Sequence, residues 1–372
     1  MSSLHIGFLA ADLTHKHGWA HYGLSLLLAL QRAGVNMTVV AARNSPLIDG
    51  VTVLPILPSV DPLEGGMLIK QVLAIPRVRR AFARCDLIHS AIEPYAPLAA
   101  LVAGNRPLVV TGHGSYVRTS HERPFPANVV YQQAFRRALL VCVSRYTAVQ
   151  AETAIPGVRT TVVNNGIDVE RFASLHRANP PDHRPTVLSV GAVKARKGTL
   201  ALVRAMEKVR ETIPDVQCVI IGNLESEPEY VAQVQAEIET RGLQETVRLL
   251  GRVSDDILLD WYGKADVFAL PSLNVDWKFE GYGLSLMEAS AAKLPVIGTT
   301  DCGAEDAVDD GVTGLLVSQT NVDSELPQAI IHLLKNPALA RQMGEAGREK
   351  ANRNTWDDVA RQMIQVYQRL LK

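Results

Sequence analysis

Short runs of Val, Ile and Leu alternate along this chain with longer amphipathic stretches. Continuous apolar runs suit strands buried on both faces, and stretches with a 3.6-residue period suit helices that cross between parallel strands. The pattern occurs twice. In the first half it predicts strands at Ile6–Leu9, Met37–Ala41, Leu87–His89, Leu108–Thr111, Leu139–Val143 and Thr161–Val163. Helices between them include Tyr22–Ala33, closed by Gly34, and Arg145–Thr153, which stops before Pro156. In the second half, strands at Thr186–Val190, Cys218–Ile221, Val247–Leu250, Val267–Leu270 and Val296–Gly298 are separated by helices such as Leu200–Thr212 and Tyr230–Arg241. From His176 to Pro185 the text HRANPPDHRP has no apolar periodicity and reads as a linker. Near the end, Trp356, Val359, Met363, Val366 and Leu370 fall three or four apart, which predicts one terminal helix over Thr355–Leu371.

The expectation is an α/β fold of two doubly wound parallel-sheet domains, 1–175 and 186–354, joined by the linker 176–185. Ligands of such sheets bind beyond the carboxyl ends of the strands, so two domains facing each other would hold a substrate in a cleft between them. A length of 372 residues is enough for about two hydrophobic cores. With 47% hydrophobic and 20% charged residues the composition is that of an ordinary globular protein, and no apolar run approaches the ~18 residues of a spanning helix. Lys+Arg and Asp+Glu each total 38, which excludes a globally basic polyanion binder and any nucleic-acid partner of that kind. The balance is not local: residues 1–180 carry 17 basic against 10 acidic side chains, and the remainder 21 against 28. Cys85, Cys142, Cys218 and Cys302 lie far apart without CxxC spacing or neighbouring His, so buried free thiols are expected, with no disulfide and no metal site. The first residues read as a β-strand and not as a secretory signal, which makes the cytoplasm the expected compartment.

Candidate chemistry concentrates in four segments. In FEGYGLSLMEASAAKLPVI, Glu280 and Glu288 are eight apart, and Gly281 and Gly283 stand just before a short helix. The first free N–H groups of that helix, at Gly283 to Ser285, favour a phosphate. Glu288, a turn further in, could accept from the vicinal hydroxyls of a ribose, and Glu280 would face what the phosphate carries. Equally, both could be solvated helix-end carboxylates. In SVGAVKARKGTL, a strand leads into Gly191 and a basic loop with Lys194, Arg196 and Lys197 before Gly198; Arg196 and Lys197 could neutralise a diphosphate, while Lys194 reads as solvated. In LVVTGHGSYV, His113 stands between two glycines after a strand, placed to donate to a sugar hydroxyl or phosphate with a charge that responds near neutrality. Gly18 occupies the loop after the first strand, where backbone approaches a ligand.

Together these segments resemble the retaining nucleotide-sugar glycosyltransferases of the family 4 type, which have the GT-B fold of two facing Rossmann-like domains with a deep cleft. The Glu-x7-Glu signature matches at Glu280 and Glu288, and the phosphate loop at Gly191, Arg196, Lys197 and Gly198. Further marks are NNGID from Asn164 to Asp168 with Phe172 following, Leu250–Ser272, and Cys302–Val317. The resemblance implies that Glu288 binds the donor ribose, that Glu280 orients the sugar, and that Arg196 and Lys197 stabilise the departing diphosphate. It also implies a cradle of Gly281, Tyr282, Gly283 and Leu284, base contacts from Arg252 and Val253, and His113 lining the reaction centre, with Glu280, His113, Lys197 and Arg196 as the catalytic set. The terminal helix, 355–372, would pack back on the first domain. Two positions depart from the family pattern. Ala192 follows Gly191 where many members have Arg, and His17-Gly18 stands where a glycine pair is usual.

The implied reaction moves a sugar from a UDP- or GDP-sugar to the hydroxyl of a glycan, lipid-linked or small acceptor, with no cofactor and no obligatory metal. A glycoside hydrolase also uses two carboxylates but has no need of a phosphate-ready loop. An NAD-dependent dehydrogenase needs GxGxxG after its first strand, which is missing here. A sugar-nucleotide epimerase of the same fold, or a non-catalytic sugar-nucleotide binder, stays open. Acceptor-side candidates are Arg118, His121, Glu122 and Arg123, which could equally be a solvated loop. The segment Met67–Cys85 carries Lys70, Arg77, Arg79, Arg80 and Arg84 among apolar residues, as either a surface helix packed on the sheet or a peripheral contact with an anionic membrane.

Overall fold

Every strand in the structure, a computed structural model that describes residues 4–14, 16–60, 66–175 and 183–372, runs parallel to its neighbours. The first sheet contains β1 (His5–Leu9), β2 (Asn36–Ala42), β3 (Thr52–Leu57), β4 (Leu87–Ser90), β5 (Leu108–Gly112), β6 (Leu139–Cys142) and β7 (Arg159–Val162), in the order β3-β2-β1-β4-β5-β6-β7. The second contains β8 (Thr186–Val190), β9 (Gln217–Ile221), β10 (Val247–Gly251), β11 (Val267–Ala269), β12 (Val296–Thr299) and β13 (Gly314–Val317), in the order β10-β9-β8-β11-β12-β13. In both, the chain starts at a central strand, winds outward and returns to the other side. The reversal falls between β1 and β4 and between β8 and β11, where crossover loops part and leave room for a ligand.

Central strands are buried on both faces because helices cover both: β4 and β5 are buried throughout, as are β11 and β12. Two strands escape the sequence pattern, β3 and β13, and both are sheet edges. Pro55 interrupts β3, which an edge tolerates because one side of its backbone needs no ladder partner. The helices Arg145–Ala154, Thr199–Thr212 and Pro228–Thr240 match their expected positions within two residues, whereas Gly18–Arg32 begins four residues before the expected Tyr22, which takes Gly18 out of the loop and into the first turn.

The described chain divides into two units, one of residues 1–166 with 356–372 and the other of residues 167–355. Residues 176–182 of the polar, proline-rich stretch lie outside the described residues. The core of the first unit joins Ile6, Phe8, Tyr22, Leu26 and Leu30 to Trp356, Val359, Met363 and Tyr367 of the helix Trp356–Leu370, so the last helix completes the first sheet's cover. The second core gathers Val187, Leu202, Met206, Cys218, Val267 and Ile330. All four cysteines are buried free thiols. Among the described residues no helix is long and apolar enough to cross a membrane. Counted over the units, Lys+Arg against Asp+Glu is 18 to 10 in the first and 20 to 28 in the second.

Where the chain leaves the first unit, Gly166 lies directly on Trp356: a Cβ there would sit 2.7 Å from the Trp356 backbone. Replacing Gly166 by Ala therefore forces apart two segments that anchor the terminal helix. We expect a loss of about 1–3 kcal/mol, read as a lower urea midpoint. An unchanged midpoint would contradict this packing.

Candidate functional site

The carboxyl end of β8 leads through Gly191 into a short 3-10 turn, Ala195–Lys197, and then the helix Thr199–Thr212. Gly198 joins the two at φ +67°, and a Cβ would lie 1.8 Å from the carbonyl oxygen of Pro271. Only glycine fits, and the fit seats the basic turn against the end of β11. The contact is fixed further by the Leu273 N–H, which donates to the Arg196 carbonyl at 2.9 Å.

This seating gathers three donors on one carboxylate oxygen. Glu280 Oε2 accepts from Lys197 Nζ at 2.5 Å, Arg196 Nη1 at 3.0 Å and Ser272 Oγ at 3.2 Å. The Glu280 side chain is 9% exposed and that of Lys197 14%. Burial alone would raise the Glu280 carboxyl, but the charges and hydrogen bonds of Lys197 and Arg196 outweigh it and hold the group at about 2. Lys197 is pulled the other way: burial lowers its ammonium, Glu280 opposes that, and Arg196 adds to it. The cluster is therefore an ionised one in which Glu280 keeps a buried lysine charged.

Gly283, at φ +87°, opens the helix Leu284–Ala291, whose first N–H groups have no partner within the helix and carry its positive dipole end. Glu288 projects from this helix and accepts from the Tyr262 hydroxyl at 3.0 Å, with Arg171 Nη1 3.7 Å from its other oxygen. Arg171 in turn forms a two-pronged pair with Asp255 and lies over the Phe172 ring. Burial raises the Glu288 carboxyl, and Arg171 and Tyr262 restrain the shift. The side chain of Tyr282 is buried and its hydroxyl accepts from Asn354 Nδ2 at 3.0 Å. Past β10, Arg252 is exposed and Val253 partly buried.

His113 and Gly18 belong to the first unit. Gly18 begins the helix Gly18–Arg32, with nothing within 4 Å of where a Cβ would be. Its neighbour His17 caps that helix, accepting from the Ala20 N–H at 3.3 Å and placing Nε2 2.6 Å from Asp12. His113 differs from expectation. Burial lowers its imidazole to about 4, so it is neutral at physiological pH and does not respond near neutrality. Its Nε2 lies 2.7 Å from the Ala91 carbonyl, which can only accept. That bond uses the ring's one proton and leaves Nδ1 as an acceptor, so the expected donation to a hydroxyl or phosphate is replaced by acceptance.

The second unit thus brings together Arg196, Lys197 and Glu280, with Gly191 beside Lys197, and it seats Glu288 on the helix that Gly283 opens. Sequence reasoning missed Ser272, Tyr262, Arg171 and Asp255. Their segments carry family marks, but nothing in the local text says that they touch the two glutamates.

Two parallel-sheet units of this strand order, with cations and carboxylates at strand ends, fit the GT-B fold of sugar-transferring enzymes, and comparison with known proteins shows the family. The family model described as "Glycosyltransferase Family 4" matches residues 17–171, and that described as "Glycosyl transferases group 1" matches residues 170–350. The chain belongs to this glycosyltransferase family. It is 30% identical over 300 residues to a GDP-mannose-dependent alpha-(1-6)-phosphatidylinositol monomannoside mannosyltransferase of Mycobacterium tuberculosis, covering 76% of each chain. To a phosphatidyl-myo-inositol mannosyltransferase of Mycobacterium leprae it is 28% identical over 300 residues, covering 78% of this chain and 76% of the other. Among solved structures, sucrose-phosphate synthase from Thermosynechococcus elongatus superposes with a TM-score of 0.81 at 22% identity and 99% coverage of both chains. HepE of Anabaena, solved with UDP and glucose, gives 0.76 at 20% identity, with 98% of this chain and 99% of that one covered.

The ionised cluster yields a stability test. Glu280→Gln leaves Lys197 buried without its counter-charge, and Lys197→Met leaves Glu280 with Arg196 and Ser272 only. In a double-mutant cycle by chemical denaturation the two should couple by about 1–3 kcal/mol, the double variant being less damaged than the sum of the singles. Simple additivity would show that the pair does not act as a unit.

Proposed function

We propose that this glycosyltransferase moves a mannosyl residue from GDP-mannose to an inositol phospholipid or its mannoside, with retention of anomeric configuration. The observation that carries the reading is the shared carboxylate of Glu280, which holds Lys197 and Arg196 charged beside the helix that starts at Leu284. The donor and acceptor are those named for the mycobacterial relatives.

In this reading the donor's diphosphate lies between the basic turn and the first N–H groups of the helix. Negative charge grows on the leaving phosphate oxygen as the glycosidic bond breaks. Fixed cations with little water around them stabilise that charge without reorganising, the largest electrostatic contribution such a site offers. Glu280, freed from part of its pairing as the phosphates take up Lys197 and Arg196, accepts from the sugar's hydroxyls and orients the ring. Glu288, held by Tyr262 and Arg171, accepts from the ribose hydroxyls. Arg252 and Val253 meet the base. His113 Nδ1 accepts a hydrogen bond from a hydroxyl at the transfer centre. The acceptor oxygen attacks on the face the diphosphate leaves, which preserves configuration, and the leaving phosphate is the base for its proton. The two cations do the charge neutralisation, so transfer proceeds in a chelator.

An anionic lipid acceptor also gives a role to the helix Met67–Ala81. Ile69, Val72 and Leu73 are exposed at 69, 55 and 74%, and Arg77 and Arg80 continue the same stripe at spacings of three and four. Apolar residues followed by cations on one outer face suit a helix lying on an anionic membrane. This joins the basic character of the first unit to its substrate.

The decisive assay is mannose transfer from GDP-mannose to phosphatidylinositol, followed by GDP release with and without acceptor. Glu280→Gln and Lys197→Ala should each depress it by about 10²-fold or more while leaving the circular-dichroism spectrum intact. Wild-type turnover in both would overturn the site assignment, and release of GDP without acceptor would favour a hydrolase. Separately, the protein should co-sediment with phosphatidylglycerol vesicles and not with phosphatidylcholine vesicles. Changing Arg77, Arg79 and Arg80 to Gln should weaken that binding by about 10²-fold, given roughly 1 kcal/mol per cation. Unchanged binding would remove the membrane role of this helix.

A further inference from the structure

The first unit buries a carboxyl group that the reaction just described does not use. Glu93 opens a 3-10 turn, Glu93–Tyr95, shortly after β4, and it is 0% exposed. Its Oε1 accepts the backbone N–H of His113 at 2.5 Å, across the gap between the ends of β4 and β5. Its Oε2 has no hydrogen-bond partner among the described residues. No ion pair reaches either oxygen among those residues.

The groups packed around it are neutral. Trp19, from the helix Gly18–Arg32, hydrogen-bonds the carboxyl, and Tyr22 from the same helix, Tyr131 from the helix Ala127–Arg137 and Cys142 from β6 lie near it. Tyr22 packs edge-on against the His113 ring at 4.4 Å, and its hydroxyl lies 3.1 Å from that of Thr111. Tyr131 donates to the carbonyl of Pro94, next to Glu93, at 3.1 Å. Tyr116 stacks edgewise on Trp19. The cations in the neighbourhood are engaged elsewhere: Arg123 faces the Tyr131 ring at 5.1 Å, and Arg118 pairs with Glu122. Glu152 accepts from the Thr160 hydroxyl and acts electrostatically on Cys142. A carboxylate here would be a lone charge withdrawn from water, which costs far more than a protonated carboxyl in the same place.

We propose that Glu93 is a positioning residue of the transferase, a neutral acid whose Oε1 anchors the Gly112–His113–Gly114 turn and so fixes His113 for the reaction. The inference rests on the role given above to His113. Two hydrogen bonds hold that residue, one from its backbone to Glu93 and one from its ring to Ala91, and together they fix both the turn and the tautomer. Burial raises the Glu93 carboxyl to about 8, above its ordinary 4.5. Above that pH the proton passes to solvent, an unpaired charge forms beside the turn, and the turn opens to water to relieve it. Activity then falls on the alkaline side.

The same shift has a stability signature independent of turnover. The folded state holds the proton more tightly than the unfolded chain, so stability contributed by neutral Glu93 is full below pH 4.5 and is lost as pH rises to about 8. Glutamine keeps the accepting oxygen and cannot ionise. Thermal midpoints of the wild type and Glu93→Gln, measured from pH 4.5 to 9, should therefore diverge in favour of Gln as pH rises, and level off above about 8. In the GDP-mannose transfer assay, Glu93→Ala should lose about 10²-fold, mainly in kcat, by letting the turn drift. Glu93→Gln should restore most of that loss and show no alkaline limb near pH 8. Gln as crippled as Ala, an alkaline limb that persists in Gln, or wild-type turnover in Ala would each overturn the proposal, as would thermal midpoints that run parallel across the pH range. Failure of the wild type to transfer mannose would instead fall on the functional reading, and the thermal comparison would still decide whether Glu93 is neutral.

Discussion

A carboxylate removed from water must be met by donors from the chain itself, and Glu280 is met by three, two of them more than eighty residues away in sequence. Lys197 and Arg196 come from the turn after β8, Ser272 from just past β11, and Glu280 from the loop before Leu284. These segments converge only because β8 lies beside β11 at the reversal of the strand order. The glycine at 198 belongs to the same constraint, since any side chain there would push the basic turn off Pro271 and away from the acid. Sheet topology, one left-handed residue and one buried charge thus depend on each other. The ion cluster is weak evidence of stability, since buried pairs rarely stabilise beyond an apolar substitute, but it keeps a lysine protonated where burial opposes it.

The first unit solves its polar burial without charge. Tyr22, Thr111, His89 and Tyr367 form a chain of hydrogen bonds from the first helix through β5 and β4 to the last helix. Burial lowers His89 to about 3 and raises Tyr22 and Tyr367, so every member is neutral over the physiological range. One unit therefore has ionised groups at its strand ends, suited to a charged ligand. The other buries a neutral network whose donors and acceptors pair with one another.

Much of this was legible in the sequence because the chemistry is contiguous there. Central strands announce themselves as apolar runs, and Arg196, Lys197, Glu280, Gly283 and Glu288 sit in two short segments whose glycines and charges have few other uses. What was not legible depends on contacts across the fold. Of the four edge strands, β7 and β10 were legible, while β3, interrupted by Pro55, and the short β13 were not. Tyr262 and Arg171 read as ordinary residues until the fold sets them on Glu288. His113 was legible as a candidate but not in its charge state, because burial and the Ala91 carbonyl belong to the folded chain alone. Glu93 stands in EPYAPLAA, where nothing local shows that it is inaccessible to water.

The first unit is discontinuous in the chain, with its covering helix Trp356–Leu370 supplied from the far end. During synthesis its seven strands emerge early, while the residues that cover Tyr22, Leu26 and Leu30 emerge only after the second unit. Domains usually fold as units in the order in which they leave the ribosome. Here the earlier unit keeps an apolar face open until the later one has been made, so the second sheet can be complete before the first. A premature stop after residue 355 would strike the opposite end of the protein from the one it truncates, and the nascent first unit is the part that most needs protection from aggregation.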